Sequence, residues 1–240
     1  VKILIPMAGL GSRFPSYLYP MPKPLISVNG EPMISRAVKS LNLEGQYLFV
    51  IAKNNFSELV KETISSIHPD TEFIEIDYVT EGPAVSALLF KDLINNEEEL
   101  VIANCDQIME WNSEKFLLNA RLNDGCVVTY HTDTEKNSYA KIDDCEQVTE
   151  IREKEVISNV SLNGIHYWKK GKYFVESAEK MIEAQDRAPN GEFYIAPTYN
   201  YMIQKNQTVG IYHIPNQMHH AVGVPKDLED YLEYEKSKTK

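Results

Sequence analysis

What is scarce in this chain narrows it first. Three cysteines occur in 240 residues, at Cys105, Cys126 and Cys145, with no Cys-x-x-Cys spacing. An odd, scattered set argues against a disulfide framework and a thiolate zinc site, and fits a reducing, cytoplasmic setting. No apolar run approaches the ~20 residues that cross a bilayer. The stretch Ile3–Met7 breaks too early, at Gly9, for a secretory leader to be expected. Positive charge is short as well: 24 Lys and Arg stand against 35 Asp and Glu, a formal net charge of −11. That balance disfavours nucleic acid and anionic membranes as partners. Two phosphate-binding signatures also fail in detail. No Gly-Lys-Ser/Thr accompanies Gly11, and Phe14-Pro15 stands where a dinucleotide fingerprint needs a third glycine opening a helix.

What is present is an ordinary globular composition, 43% hydrophobic and 25% charged, laid out with a changing period. Lys2–Met7 reads as a strand followed by a Gly/Ser/Pro-rich loop. Pro32–Leu43 carries Met33, Ile34, Ala37, Val38 and Leu41 at helical spacing. Asn54–Ile67 repeats the pattern through Phe56, Leu59, Val60, Thr63, Ile64 and Ile67. Tyr47–Ala52, Glu72–Val79 and Glu99–Ala103 read as strands, and Ala84–Ile94 as a helix. This β-α-β-α order predicts an α/β fold with a largely parallel sheet covered on both faces and right-handed crossovers. Further on, short strands are expected at Gly125–His131, Ala140–Ile142, Val148–Arg152, Leu162–Tyr167 and Thr208–Ile214. Helices are expected at Lys172–Ala184, Tyr194–Gln204 and Asp227–Ser237, with the tail Lys236–Lys240 frayed. The later strands should extend or lid the first sheet.

The segment Ala8-Gly9-Leu10-Gly11-Ser12-Arg13 directly follows the first strand. Open α/β sheets bind ligands at that end of their strands. Glycines at 9 and 11 let backbone N–H groups approach phosphate oxygens. Arg13 offers a fork to phosphate, and Lys23 adds a point charge. Alone, this Gly-x-Gly reads equally well as a turn with an incidental arginine.

The wider string is more specific. Met7-Ala8-Gly9-Leu10-Gly11-Ser12-Arg13-Phe14-Pro15, then Pro22-Lys23-Pro24-Leu25-Ile26, then Val28-Asn29-Gly30-Glu31-Pro32-Met33-Ile34 follow one another. In order and spacing they resemble the signature of the nucleoside-diphosphate-sugar pyrophosphorylases, the sugar-phosphate nucleotidyltransferase family. The resemblance implies a Rossmann-like domain of the GT-A type with a mixed, mostly parallel sheet. It implies Mg²⁺-dependent transfer of a nucleoside monophosphate from a nucleoside triphosphate to a sugar 1-phosphate, with release of pyrophosphate. Arg13 and Lys23 would hold the triphosphate, with Ala8, Gly9, Gly11 and Ser12 around them. Glu81-Gly82-Pro83-Ala84 resembles the turn that meets the nucleobase, and Asp106 the magnesium-binding aspartate. Glu153-Lys154 resembles the pair in which the lysine binds the attacking phosphate. Asn163-Gly164 and Glu192, within Gly191–Tyr194, would line the acceptor pocket. On local grounds alone, Glu81–Ala84 is also a helix start, Asp106 a turn residue and Arg152–Glu155 a solvated charge run.

One stretch departs from the pattern. In His219-His220-Ala221-Val222-Gly223-Val224-Pro225, Ala221 stands where many members carry a second metal-binding aspartate. Magnesium prefers oxygen to imidazole, so Asp106 is expected to work with the triphosphate, and His220 to hydrogen-bond near the acceptor. A structural histidine pair fits equally. Arg13, Lys23, Lys154 and Mg²⁺ would then make one positive site in an acidic chain. A single domain, 1–240, is expected, with a nucleotide half at about 1–125 and an acceptor half at about 126–240. Its partners would be a nucleoside triphosphate and a phosphorylated small molecule, with homo-oligomerisation left open and surface-polysaccharide precursor synthesis as the role. Three other readings compete: a cytidylyltransferase for a non-sugar phosphate such as choline phosphate, a glycosyltransferase of the same architecture, and a non-catalytic nucleotide-binding regulatory domain.

Overall fold

The structure is a computed structural model that describes residues 1–9 and 11–238. Leu10 of the glycine loop, and Thr239 and Lys240 of the tail, lie outside the described residues. The first strands and helices are β1 (Lys2–Met7), β2 (Ser27–Val28), β3 (Glu31–Pro32), α1 (Met33–Leu41), β4 (Gln46–Ala52), α2 (Ser57–Ser65) and β5 (Glu72–Ile76). Then come α3 (Pro83–Leu88), α4 (Lys91–Ile94), β6 (Leu100–Ala103), β7 (Gln107–Met109), α5 (Ser113–Ala120) and β8 (Gly125–His131). The chain continues through β9 (Ser138–Ile142), β10 (Val148–Glu153), β11 (Val160–Trp168), α6 (Gly171–Glu183) and α7 (Thr198–Ile203). It closes with β12 (Val209–His213), β13 (His219–Ala221) and α8 (Pro225–Lys238).

Among the described residues, nine strands form one mixed sheet along the path β10-β9-β11-β6-β1-β4-β5, with β8 between β11 and β12. β1 runs parallel to β4 and β6, and β4 parallel to β5. β11 is antiparallel to both β6 and β8. The later strands therefore extend the first sheet. Continuous apolar runs form these strands because both faces are covered, so alternate side chains enter different cores. Leu4, Leu48, Val50, Leu100 and Ile102 pack with Ala84 and Ala87 of α3, Phe174 and Ala178 of α6 and Tyr199 of α7. Ile3, Ile5, Tyr47, Phe49 and Val101 pack with Ile34 and Val38 of α1, Val60 and Ile64 of α2 and Phe116 of α5.

Several elements depart from expectation for identifiable reasons. The helix expected over Ala84–Ile94 divides into α3 and α4. Leu89 N–H and Phe90 N–H bond to the carbonyls of Ser86 and Ala87, a tighter turn than α, and Phe90 enters the core. The helix expected from Tyr194 begins only at Thr198. The Phe193 backbone is committed elsewhere, donating to the Glu81 carbonyl at 2.8 Å and accepting from Ala84 N–H at 3.0 Å. Unanticipated α5 is opened by Asn112, whose side chain accepts from Lys115 N–H at 2.8 Å. α8 reaches Lys238, so the residues at 236–238 are helical rather than frayed, and Lys238 pairs with Glu110 at 2.5 Å. No described helix is long and apolar enough to cross a membrane.

The far end of the sheet rests on Trp168. Its ring is fully buried, stacks on Tyr199 at 4.8 Å and meets Phe174 edge-on at 4.9 Å. The Tyr199 hydroxyl donates to the Tyr167 carbonyl at 2.9 Å, fastening α7 to β11. Trp168→Ala should cost about 3–5 kcal/mol of unfolding free energy, read by urea denaturation; a loss below about 1 kcal/mol would contradict this packing.

Candidate functional site

The carboxyl ends of β1, β4, β5 and β6 lie on one edge of the sheet because these strands are parallel. The loop after β1 is anchored by Phe14. That ring is buried with Val28, Met33, Val222 and Leu228, and Tyr19 packs edge-on to it at 4.9 Å. Phe14 N–H closes a turn onto the Gly11 carbonyl at 3.1 Å. Gly11 has φ 61, and a β-carbon there would lie 3.1 Å from Cβ of Lys23, so the loop packs tightly on the lysine stem. Ala8 is buried, while Gly9, Ser12 and Arg13 are exposed.

Lys23 Nζ lies 2.5 Å from Oδ2 of Asp106, and Arg13 approaches the same oxygen at 3.9 Å. Asp106 sits between β6 and β7, so the sheet's central strand delivers it to the loop. Behind it runs the segment after β13: Val222 N–H donates to the Asp106 carbonyl at 2.9 Å. A β-carbon on Gly223 would stand 2.8 Å from Oδ2. Burial and the neighbouring Asp106 charge push the Cys105 thiol up to about 11, which keeps it protonated and unreactive.

Beside the loop is a pocket of about 260 Å³. Its lining includes Met7, Ile51 and Ile76, with Lys53, Asp77 and Tyr78 at the ends of β4 and β5. None of the last three was singled out from the sequence. The available signal was positional: each follows the carboxyl end of a parallel strand, where such sheets bind ligands.

The turn Glu81–Ala84 is held by a close approach. Gly82 has φ 134, and a β-carbon there would meet the Phe193 backbone at 2.5 Å. Glu81 pairs with Arg187 at 2.5 Å, and the guanidinium lies 4.0 Å from the Phe193 ring centre. The turn is thereby joined to the segment carrying Glu192, which is exposed.

Glu153 is buried at the end of β10, where its carboxylate accepts from the Ser138 hydroxyl. Burial raises its pKa; the Ser138 hydrogen bond and Lys154 charge oppose this, and Glu192 adds to it. Lys154, with φ 57, turns its ammonium onto Tyr194, contacting the phenol oxygen and lying 4.4 Å from the ring centre. A break in strand register between Leu162 and His166 contains Asn163 and Gly164. Gly164, at φ 89, lets the Asn104 side chain pack against its backbone, and its carbonyl accepts from Asn104 N–H at 3.2 Å. Asn163 is buried, and its amide donates to Met109 Sδ at 3.6 Å.

The structure thus gathers Arg13, Lys23 and Asp106 at one point and links Glu153 with Lys154 on neighbouring strands of the same sheet. It does not bring His220 to Asp106. His220 faces α8, with its ring 4.4 Å from that of Tyr234 and Nε2 3.4 Å from Glu110. His219 is instead the histidine that senses the Asp106 charge, and it packs on Tyr130 at 4.7 Å. Ala221 pairs with Gln107 across β13 and β7 and is exposed.

A family model described as nucleotidyl transferase matches residues 2–230. The chain belongs to the nucleotidyl transferase family. It is 23% identical over 231 residues to a bifunctional protein GlmU of Methanocaldococcus jannaschii, covering 96% of this chain and 53% of that one. It is 34% identical over 92 residues to a 2-aminoethylphosphonate cytidylyltransferase of Lancefieldella rimae, covering 30% of this chain and 37% of that one. The chain therefore spans about half or less of the length of these curated relatives. A solved nucleoside-diphosphate-sugar pyrophosphorylase from Vibrio cholerae superposes with TM-score 0.85 at 23% identity, covering 96% of this chain and 99% of that one. An inositol-1-phosphate CTP transferase from T. maritima superposes at 0.74 with 14% identity, covering 97% and 93%. At those identities the likeness concerns the fold.

Burial lowers the pKa of His219 to about 4, helped by His220 and opposed by Asp106. The folded ring stays neutral while the unfolded chain takes up a proton below about pH 6.5. Its contribution to stability is full above that pH and is lost as pH falls towards 4. The melting temperature should therefore drop between pH 7 and 5, and His219→Gln should flatten the drop. An unchanged slope in the variant would contradict the placement.

Proposed function

We propose that the chain is a nucleotidyltransferase that moves a nucleoside monophosphate from a nucleoside triphosphate onto a phosphorylated small molecule, releasing pyrophosphate. The observation that carries this reading is the convergence of Arg13 and Lys23 on Oδ2 of Asp106, at 3.9 Å and 2.5 Å, beside a pocket able to take a nucleoside. Apolar Met7, Ile51 and Ile76 would receive the base and ribose, and Lys53 and Asp77 would meet their polar edges. The loop backbone, Arg13 and Lys23 would hold the triphosphate. Ala8 and Ser12 flank that path, and the Glu81-Gly82-Ala84 turn would border the base.

A phosphate oxygen of the acceptor attacks the α-phosphorus. The new P–O bond forms as the bond to the bridging oxygen of the β-phosphate breaks, and pyrophosphate leaves with that electron pair. The attacking oxygen is already anionic at neutral pH, so no general base is needed. The protein's task is to bring two anions together and neutralise the charge that develops. Lys154 would release Tyr194 and hold the acceptor phosphate, with Glu153, Asn163, Gly164 and Glu192 around the rest of the molecule. Asp106 fits a hard divalent cation, Mg²⁺ in this reading, shared with phosphate oxygens. That cation would supply neutralisation of the triphosphate charge. His220, facing α8, is assigned a structural role.

We take a sugar 1-phosphate as the acceptor, in a surface-polysaccharide precursor route, and a single domain in which residues of about 1–125 bind nucleotide and those of about 126–240 bind acceptor. A second reading, cytidylyl transfer to an amino-alcohol phosphate or phosphonate, is supported by the partial similarity to the 2-aminoethylphosphonate enzyme. The carboxylates of Glu153 and Glu192 suit an ammonium as well as hydroxyls.

Lys23→Ala should lower pyrophosphate release at least about 100-fold, as expected on losing a group that stabilises the developing charge. Its circular dichroism and melting should stay near wild type. Wild-type-like release from that variant would remove the loop from the mechanism.

A further inference from the structure

We infer that this site accepts its divalent cation only as a chelate with the triphosphate, and has no useful affinity for the free cation. The inference rests on the nucleotidyl-transfer reading above and specifies the form in which its ligand binds.

The reason lies in what already occupies Asp106. Oδ2 is engaged by Lys23 at 2.5 Å and approached by Arg13 at 3.9 Å. The Lys23 and Asp106 side chains are only 11% and 21% exposed, so water screens the pair weakly. On one side the chain itself closes in: a β-carbon on Gly223 would stand 2.8 Å from Oδ2 and 3.8 Å from Nζ. A free cation seeking this carboxylate would meet an ammonium on the oxygen it needs.

The donor set is also thin. Among the described residues, no three His, Cys, Asp or Glu side chains converge to hold a metal. A hard cation of the magnesium or calcium kind takes about six or more oxygens, and one carboxylate gives at most two. Beside Asp106, where a second carboxylate would fit, the chain has a methyl group. Ala221 pairs with Gln107, and the next residue, Val222, donates to the Asp106 carbonyl at 2.9 Å.

A triphosphate resolves both problems together. Its oxygens draw Lys23 away from Asp106 and complete the coordination of the cation, which in turn satisfies the released carboxylate. Metal-free triphosphate fares worse, because it must take Lys23 while leaving Asp106 bare beside its own negative charge. Cation and nucleotide therefore bind as one unit, and the coupling is reciprocal.

The test needs no turnover. Mn²⁺ is titrated into the full chain without nucleotide, counting free Mn²⁺ by electron paramagnetic resonance. CTP, UTP, dTTP, GTP and ATP are then titrated separately by calorimetry, in EDTA and in Mn²⁺. Wild type should show no saturable Mn²⁺ site tighter than about 1 mM, and the nucleotide that binds should gain at least about tenfold from Mn²⁺. Ala221→Asp should create a free-Mn²⁺ site at least about tenfold tighter. Asp106→Asn should abolish the Mn²⁺ gain while leaving metal-free nucleotide binding no weaker than wild type.

A wild-type Mn²⁺ site tighter than about 100 µM without nucleotide would overturn the inference and leave nucleotidyl transfer standing. So would nucleotide affinity indifferent to Mn²⁺. An Ala221→Asp variant that folds but gains no Mn²⁺ affinity would overturn the claim that a lone carboxylate limits the site. Failure of every triphosphate to bind, with or without Mn²⁺, would bring down the triphosphate reading itself and this inference with it.

Discussion

The ion pair between Lys23 and Asp106 is the contact on which the site depends. It joins the loop after β1 to the end of β6, strands that are neighbours in the sheet although 83 residues separate the two side chains. Each partner is placed by packing rather than by its own charge. Lys23 is held through its stem against Gly11, and Asp106 through its backbone against Val222 and Gly223. An acidic chain thereby keeps two cations and one carboxylate in register at a single point. A triphosphate and its metal can exchange partners with them.

The second constraint is the seam that ties the nucleotide side to the acceptor side. Gly82 and the Phe193 backbone approach so closely that no side chain fits between them, and Arg187 spans the junction from Glu81 to the Phe193 ring. The turn assigned to the base and the segment assigned to the acceptor therefore form one wall. In-line attack requires that kind of rigidity, because a misplacement of about 1 Å between reacting atoms can cost orders of magnitude in rate. Lys154 is restrained in a comparable way, with a left-handed backbone aiming its ammonium at Tyr194.

Much of the architecture was legible because strands buried on both faces leave continuous apolar runs. β1, β4, β6 and β8 fall close to where the sequence places them. Less legible were elements with little apolar signal. α5 buries Phe116 and Ala120 but exposes Leu118, so its stripe is broken, and β7 with β13 are three-residue strands too short for a period. In the site, Gly9, Gly11, Arg13, Lys23 and Asp106 could be selected from motif and position. Their partners could not, since the Lys154–Tyr194 contact and the Gly82–Phe193 seam are long-range matters of packing. His219 and His220 illustrate the limit: strand alternation sends adjacent histidines to opposite sides, and only the register of β13 on β7 decides which one senses Asp106.

The account stands on transfer at the α-phosphorus. The direct measurement is to supply triphosphates labelled with ³²P at the α-position together with a panel of sugar 1-phosphates, choline phosphate and 2-aminoethylphosphonate, and to follow the label. The account predicts that the label moves into a nucleoside-diphosphate-linked or phosphonate-linked product, with one pyrophosphate released per product. Label confined to triphosphate or to a hydrolysed nucleotide, across the whole panel and in the presence of Mg²⁺, would contradict it.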